Sequence, residues 1–272
     1  MICKSRDIRA SVFLDLVKEV FVKKSFIFLS FLYTASAFAL YNGSPTLPDM
    51  PESGFFFPED FGFSLKANYE GDLVLGRNIT ASSLSNPGIR SLFNGGEISF
   101  GFINRVELYT LLGGFTSTVS ASQGSSECKI KIQESFGGAI GCRAIGVSWG
   151  EIKLGFNTAY FYGWPNVDSL QKGSCKVNTS AKSYQREWQV GAALSQTFAI
   201  FTPYIGVSYS RFLLDLYRIP NDMISSKIKI QNSSPFGFLI GLGICGRKGI
   251  FFDFEARFFD EYAISSALGL RF

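Results

Sequence analysis

The side chains best suited to acid–base chemistry lie near the end of the chain. Asp253 and Glu255 are two residues apart, and Arg257 is the next residue in the same alternation. A catalytic carboxylate dyad usually takes its acids from different elements, in environments that push their pKa values apart. Here both acids share one face of a predicted strand with a cation. The spacing therefore favours a mixed-charge wall over a catalytic dyad.

The remaining composition narrows the enzymatic options further. The sequence contains no His, which removes Ser-His-Asp and Cys-His catalysis and HExxH metal sites. No Ser or Asp stands in a recognisable catalytic motif, and no CxxC or other metal-ligand spacing occurs. Basic residues are scattered, without a nucleic-acid-binding motif. We predict no enzyme, no cofactor, no metal and no nucleic-acid partner; an integral membrane enzyme is the weakest hypothesis.

Composition points to a β-rich domain. The 272 residues are 46% hydrophobic, 16% aromatic and 18% charged, with 29 Phe and 28 Gly. Few charges together with many aromatic residues argue against disorder and against a helical bundle. The formal net charge of +4 is small and does not indicate a polyanionic partner.

The N-terminal part has the features of an exported protein. Lysines precede the apolar run 25–33, and small residues then lead to Ala39, which predicts a signal peptide at residues 1–39. The run is shorter than the roughly 20 apolar residues of a spanning helix. The alternative is a retained membrane anchor, and acidic residues in the leader leave open whether Met1 is the natural start. Residues 40–60 contain four prolines and predict an extended segment, either periplasmic or inside a lumen.

From residue 61 to the end, apolar and polar residues alternate with a period of two, which indicates strands. In the last segment Phe252, Phe254 and Phe258 face one way, while the acids between them face the other. Large apolar side chains opposite ions suit a membrane barrel with a watery lumen. An ordinary C-terminal hairpin of a soluble β-protein, or a soluble barrel with the reverse polarity, is the alternative.

Connection lengths suggest how the strands are joined. Short turns at 104–105, 150–151, 198–202 and 246–249 alternate with longer polar connections at 78–90, 120–128, 165–182 and 217–226. Outer-membrane barrels have short periplasmic turns and longer outer loops. We predict an all-β fold for residues 61–272: a transmembrane antiparallel up-and-down β-barrel of outer-membrane type, with about ten strands, or alternatively twelve.

The charged residues at the inward-facing positions of these strands form the candidate site. The charged residues predicted to line the lumen are Lys66, Glu70, Glu97, Glu107, Arg143, Lys153, Glu187, Asp253, Glu255, Arg257 and Arg271. Their signs nearly cancel. Such a lumen passes small hydrophilic solutes with weak ion preference, or closes itself with ion pairs if it is narrow. Barrels of about eight strands are filled by side chains and those of about 16 leave a channel, so ten lies nearer the filled end.

Several stretches carry a family resemblance. The most specific are Glu187–Ser195 and Phe201–Arg211, followed by Asn104–Gly113 and by Gly137–Trp149 with Arg143. They resemble the chlamydial major outer membrane protein porins. The resemblance implies a β-barrel porin of the bacterial outer membrane, often trimeric and linked by disulfides into an outer-membrane network. This chain is shorter than the family pattern and has fewer cysteines.

The last residue also resembles a known signal. Phe272, preceded by Tyr262, Leu268 and Leu270, looks like the assembly signal with which bacterial outer-membrane barrels end. A last strand must pair both of its edges, and a closed barrel achieves this by joining it to the first strand.

Cysteines offer a second functional direction. Cys128 and Cys175 fall in predicted outer loops, where they could bridge each other or other chains. Cys142 on the apolar face and Cys245 near a periplasmic turn are predicted to be free thiols.

The first functional hypothesis is a porin for small hydrophilic solutes, in contact with outer-membrane lipid. The second is a structural or adhesive surface barrel, held in disulfide-linked complexes or a homo-oligomer, with little or no conductance.

Overall fold

The computed structural model describes Tyr41, Gly43, Ser44, Leu47 and residues 62–82, 84–123, 126–179, 181–219, 227–246 and 249–272. The predicted signal peptide and most of the proline-rich segment lie outside these residues. No helix in the described part of the chain is long and apolar enough to cross a membrane.

The described elements are β-strands. In chain order they are β1 (Phe63–Ala81), β2 (Ser85–Phe102), β3 (Val106–Gln123), β4 (Ser126–Trp149), β5 (Ile152–Gly163), β6 (Val167–Lys172), β7 (Cys175–Asn178), β8 (Lys182–Gln196), β9 (Phe201–Tyr217), β10 (Lys227–Asn232), β11 (Phe236–Cys245), β12 (Ile250–Phe258) and β13 (Glu261–Arg271).

Ten of these strands close into a barrel. Around the ring the order is β1, β2, β3, β4, β5, β8, β9, β11, β12 and β13, with every neighbouring pair antiparallel. The last strand pairs with the first from Lys66 opposite Arg271 to Arg77 opposite Glu261, which leaves no free edge. The predicted antiparallel ten-strand barrel is confirmed, and the four short turns lie where the sequence indicated.

The outer face of the barrel is apolar over most of its height. Ile98, Leu112, Ile140, Val207 and Leu268 are each more than half exposed, although they lie in the middle of regular strands. A continuous apolar band of this kind would be unstable in water but matches the acyl region of a bilayer. The polarity is therefore that of a membrane barrel, and not of a soluble one.

Two of the expected loops are strand instead. The connections predicted at 78–90 and 120–128 are wrong, because β1 to β4 continue until only residues 82–84 and 124–125 separate them. The alternation continues there with its polarity reversed: Lys129 and Lys131 point outward and are exposed, while Ile130 is fully buried. This upper end, which also carries β6, β7 and β10, has a water-facing outer surface.

At the upper end, some strands of the ring are replaced by other strands. β13 pairs with β1 as far as Arg77, and β10 takes over the same edge from Ile79 while pairing with β9 on its other side. Across the ring, β6 replaces β5 as the partner of β4. The β11–β13 strands therefore drop out of the upper ring, which becomes narrower.

The interior of this upper ring is a dry core, called here the upper core. Its buried members are Ile79, Leu84, Ile89, Val119, Ala121, Cys128, Ile130, Ile132, Val167, Leu170, Ala181, Phe212, Leu214, Leu216, Ile219, Ile228 and Ile230. Small barrels are filled by their inward side chains. The upper core therefore closes that end of the barrel with apolar packing.

We expect Ile130→Ala to lower the free energy of unfolding by about 2–5 kcal/mol, because it leaves a cavity in the upper core. The matched control is Lys131→Ala, next along the same strand, whose exposed contact with Asp168 spans 3.7 Å. An exposed pair of this kind contributes at most about 1 kcal/mol. Urea unfolding of the protein folded in lipid vesicles measures both values, and equal losses would contradict an apolar, packed upper core.

Candidate functional site

The lower interior holds a first group of ion pairs around Arg143. Its Nη1 donates to Glu97 Oε1 at 2.9 Å and to Glu107 Oε1 at 2.8 Å, and its Nη2 donates to Glu97 Oε2 at 2.8 Å. The Lys66 ammonium donates to the other oxygen of Glu107. All four side chains are almost completely buried. Charge-assisted, partly bidentate bonds of this type offset the cost of removing the ions from water.

An aromatic ring supports this group from the side. The guanidinium carbon of Arg143 lies 4.0 Å from the centre of the Tyr109 ring, close enough for a cation–π contact. Tyr109 lies opposite Gly141 on the neighbouring strand, and a Cβ at Gly141 would come within 2.2 Å of the ring. Glycine at this position is what lets the ring lie flat against the wall beneath the cation.

Part of the proline-rich segment reaches the same cations. Tyr41, Ser44 and Leu47 are buried, and the Leu47 carbonyl accepts a hydrogen bond from Lys66 Nζ. The Tyr41 ring lies 5.8 Å from the Arg143 guanidinium. These described residues therefore fill space beside the lower ion pairs.

A second group lies around Arg257. This side chain donates from Nη2 to Asp72 Oδ1 at 2.6 Å, from Nη1 to Glu255 Oε1 at 2.8 Å, and from Nε to Glu261 Oε1 at 2.8 Å. Asp72 also accepts a bond from the Ser265 hydroxyl at 2.5 Å. Three carboxylates therefore converge on one guanidinium, which uses its donor fork in three directions.

A third group lies around Arg77, and one of its ion pairs crosses the barrel. Arg77 on β1 donates to both oxygens of Glu187 on β8, at 2.9 and 2.7 Å, and its Nε donates to Glu261 at 2.8 Å. In the ring of ten, β1 and β8 are five steps apart in either direction, so they are opposite walls. The same guanidinium lies 4.9 Å from the Phe212 ring of the upper core. The Arg77–Glu187 pair therefore obstructs the lumen directly beneath the upper core.

The structure places ten of the eleven predicted charged residues on the buried inner face: Lys66, Glu70, Glu97, Glu107, Arg143, Glu187, Asp253, Glu255, Arg257 and Arg271. Lys153 is half-buried near the lower end, opposite the buried Ser195. Asp253 Oδ1 accepts a hydrogen bond from the Tyr204 hydroxyl at 2.7 Å, and not from a cation.

Sequence reasoning missed three members of the network. Asp72 lies at an inward-facing position of β1, so the alternation of that strand could have predicted it as a lumen residue. Arg77 lies beyond a register shift between Val74 and Gly76, which moves it out of the simple alternation. Glu261 directly follows the short connection after β12, and it is the first, buried residue of β13.

These additions change the charge balance of the interior. Among the described buried residues the interior acids are Glu70, Asp72, Glu97, Glu107, Glu187, Asp253, Glu255, Asp260 and Glu261, against the cations Lys66, Arg77, Arg143, Arg257 and Arg271. The expectation that the signs nearly cancel is therefore wrong, and acids are in excess. Burial raises the pKa of Asp260, in the turn before β13, to about 7, so this carboxyl is partly neutral near neutral pH.

Cys128 and Cys175 are both free thiols in the structure. Cys128 lies opposite Lys172 on β6, and Lys172 lies opposite Cys175 on β7. Two inter-strand steps separate their Cα atoms by about 10 Å. A disulfide needs Cα atoms within about 7 Å, so this backbone does not allow a bridge between the two. Cys128 is buried in the upper core, whereas Cys175 is exposed.

The residues of the predicted assembly signal lie on the lipid-facing side of the last strand. Tyr262, Leu268 and Leu270 are exposed by 56%, 55% and 38%, and the backbone N–H of Phe272 donates to Leu65 of the first strand. Within the described ranges, no group of three or more His, Cys, Asp or Glu side chains is arranged to hold a metal ion.

A closed antiparallel barrel with an apolar outside and an ionic inside defines the class as an outer-membrane β-barrel protein. Residues 167–233, which run from β6 to β10, match the family model described as Chlamydia major outer membrane protein. This match confirms the suspected resemblance over that segment, including the stretches Glu187–Ser195 and Phe201–Arg211. A search of curated proteins found no match to the chain.

Solved structures with a similar arrangement are also outer-membrane barrels. They include the translocator domain of the autotransporter NalP from Neisseria meningitidis (13% identity, TM-score 0.42, covering 78% of this chain and 88% of that one). The outer membrane protein OprG from Pseudomonas aeruginosa has 8% identity and a TM-score of 0.40, with coverage of 78% and 96%. The outer membrane protease OmpT from Escherichia coli has 8% identity and a TM-score of 0.40, with coverage of 77% and 94%. At these identities and TM-scores the similarity carries no information about activity.

We expect Arg143→Met to destabilise the barrel by about 3–5 kcal/mol, because it leaves the buried carboxylates of Glu97 and Glu107 without their shared cation. The double variant Arg143→Met/Glu97→Gln removes one of those carboxylates and should recover part of the loss. Urea unfolding of the protein folded in lipid vesicles measures both. No recovery in the double variant would contradict a direct ion pair.

Proposed function

We propose that this protein is a structural surface barrel of the outer membrane, with a closed lumen and little or no conductance. The observation that supports this most directly is the Arg77–Glu187 pair, which joins opposite walls at 2.7–2.9 Å. Directly above it the upper core fills the narrower ring with apolar side chains. A hydrated ion entering from either end would have to break buried ion pairs or cross a dry core, and both are costly.

The part of the molecule that remains available for interaction is its upper end. There β6 and β7 form a hairpin whose two-residue turn, at Gly173 and Ser174, carries the exposed Cys175 at its end. A thiol at a hairpin tip can meet a second chain without rearrangement of the barrel. Disulfides persist in oxidising compartments outside the inner membrane. We infer that Cys175 joins this chain to other outer-membrane proteins or to a second copy of itself.

Passive diffusion of small hydrophilic solutes is the second candidate. It is favoured by one feature, the dense charge on the inner wall at the level of the membrane, which includes Lys66, Glu107 and Arg143. A purely structural barrel could have packed this level with apolar residues. The same ionic wall would line a path if the Arg77–Glu187 pair and the upper core opened together.

Planar-bilayer recordings distinguish the two functions. We expect the refolded wild-type protein to show no single-channel steps over the whole voltage range, while a general porin inserted under the same conditions conducts. Correct insertion is checked by the mobility shift of unheated against heated samples on gels. Steady conductance steps that scale with salt concentration would refute the closed lumen and establish passive diffusion.

The role of Cys175 is tested by cross-linking. Oxidised membranes that contain the wild-type protein should show disulfide-linked species on non-reducing gels, and these should disappear with reducing agent. Cys175→Ser should abolish them, whereas Cys128→Ser should not, because the Cys128 thiol is buried in the upper core. Cross-linked species that persist in Cys175→Ser, or monomer alone in the wild type, would remove the proposed role of this thiol.

A further inference from the structure

One strand at the upper end has a neighbour on one side only. Strand β7 pairs with β6, and within the described residues no strand pairs with its other side, called here the free edge. Each of the other twelve described strands has partners on both sides. Three of the four β7 residues are exposed, and Val177 is partly buried. An unpaired strand edge is a template on which another chain can pair.

The hydrogen bonds around the hairpin show which backbone groups point to the free edge. The N–H of Gly173 donates to the carbonyl of Glu127 on β4 at 2.8 Å, and the N–H of Thr179 donates to the carbonyl of Asp168 at 3.3 Å. Backbone groups of successive strand residues point alternately to one neighbour and to the other. Lys176 and Asn178 therefore direct their N–H and C=O groups away from β6. Within the described part of the chain these four groups have no hydrogen-bond partner.

The two faces of β7 differ in polarity. On the inner face Val177 lies opposite Leu170, which lies opposite Ile130, and the latter two belong to the upper core. On the outer face Lys176 lies opposite the exposed Gln171. Lys176 forms no ion pair with any described residue. An added strand would therefore extend an apolar row with one side chain and meet a cation with the next.

Cys175 lies where such a strand would place a residue at disulfide distance. The backbone groups of Cys175 point to β6, so its counterpart on an added antiparallel strand would form a pair without backbone hydrogen bonds. The Cα atoms of such a pair are about 4.5 Å apart. Disulfides join Cα atoms about 4.4–6.8 Å apart. The thiol is free and exposed, so the geometry allows this bond without rearrangement of the hairpin.

We propose that the free edge accepts an extended segment of another outer-membrane protein as an added antiparallel strand, with a cysteine of that segment opposite Cys175. This inference rests on the proposed cross-linking role of Cys175 and specifies what that thiol joins. From its N-terminal end, the segment places an apolar residue opposite Val177, an acidic residue opposite Lys176 and then the cysteine. Backbone bonds supply affinity in strand addition, and alternate side chains supply specificity. Opposite charges in facing positions stabilise the pair.

A second copy of this chain does not fit the same edge. Copies inserted in one membrane have the same orientation, so their β7 strands run in the same direction relative to the membrane. Antiparallel pairing requires strands that run in opposite directions. A terminus or loop of a different protein is not bound by this constraint. The edge therefore favours a heterologous partner.

The covalent step is a thiol–disulfide exchange. The partner cysteine arrives as a mixed disulfide with a small thiol. The Cys175 thiol loses its proton to water, and the resulting thiolate attacks the partner sulfur. The bond between the partner sulfur and the small thiol breaks as the bond to Cys175 forms. The small thiol leaves as a thiolate, so one disulfide replaces another without a further oxidant.

A peptide probe tests the strand addition. The full chain is folded in zwitterionic micelles and mixed with a capped peptide Thr-Asn-Val-Glu-Cys-Thr, whose cysteine carries thionitrobenzoate as a mixed disulfide. Absorbance of the released thionitrobenzoate gives the rate, and the rate of Cys175→Ser is subtracted. The control peptide is identical except for a methyl group on the backbone nitrogen of its Glu, which removes the N–H that would bond to the Lys176 carbonyl. Each backbone bond contributes roughly two- to tenfold, and the methyl group also blocks close approach, so we expect the control to react about tenfold more slowly.

Charge exchange tests the register. The wild-type protein should react about two- to fivefold faster with the Glu peptide than with a peptide that has Lys in its place. Lys176→Glu should reverse this preference. Lys131→Glu, on the outer face of β4 and two strands away from β7, should leave it unchanged. A preference that Lys176→Glu does not alter would contradict the proposed register.

The outcomes separate this inference from the role of Cys175 itself. Equal rates for the methylated and unmethylated peptides, with both joined to Cys175, would overturn strand addition and leave cross-linking by this thiol intact. Equal release of thionitrobenzoate by the wild type and by Cys175→Ser would show that the thiol does not react, and would overturn both.

Discussion

The interior of this barrel depends on the requirement that a buried charge have a partner. Three of the buried arginines, Arg77, Arg143 and Arg257, each meet it by binding at least two carboxylates. Some carboxylates are shared, since Glu261 accepts from Arg77 and from Arg257. Sharing joins the ion pairs into a network in which members reinforce one another. Because one of its links crosses from β1 to β8, the same network that satisfies the charges also obstructs the lumen. Closure is thus a consequence of how a ten-strand interior accommodates ions.

The interior changes from ionic to apolar at the height where the surroundings of the barrel change from acyl chains to water. At membrane level the outer face meets acyl chains, so apolar residues such as Ile140 gain little by turning inward, and the inner face can be ionic. Above the membrane the outer face meets water, and the hydrophobic effect drives residues such as Ile130 to the inside. Strand β4 carries both polarities along one continuous stretch. Its lower part has the polarity of a membrane barrel, and its upper part has the polarity of a soluble barrel.

How far the sequence predicts this molecule depends on which periodicity is considered. The alternation along residues 61–272, together with the four short turns, was enough to predict a barrel of about ten strands, and ten of the eleven charged residues predicted for its lumen are buried. The upper strands were missed because their reversed polarity resembles a polar loop. The repeated Lys-Ile-Lys-Ile at 129–132 and at 227–230 was the available signal. The register shift before Arg77 hid that residue, and no spacing in the sequence could show that Glu187 would lie across the barrel from it.

The interior network also determines where partners can act. Arginines that bind buried carboxylates have few donors left for a passing solute, and Arg77 is held by two acids and packs on Phe212. On the outward face of β8 and β9 the arrangement differs, because Arg186 donates to the nearly buried Asp215 while its own side chain stays 42% exposed. Recognition is therefore expected at the surface, where Arg186 and the Cys175 thiol are accessible, and not in the lumen.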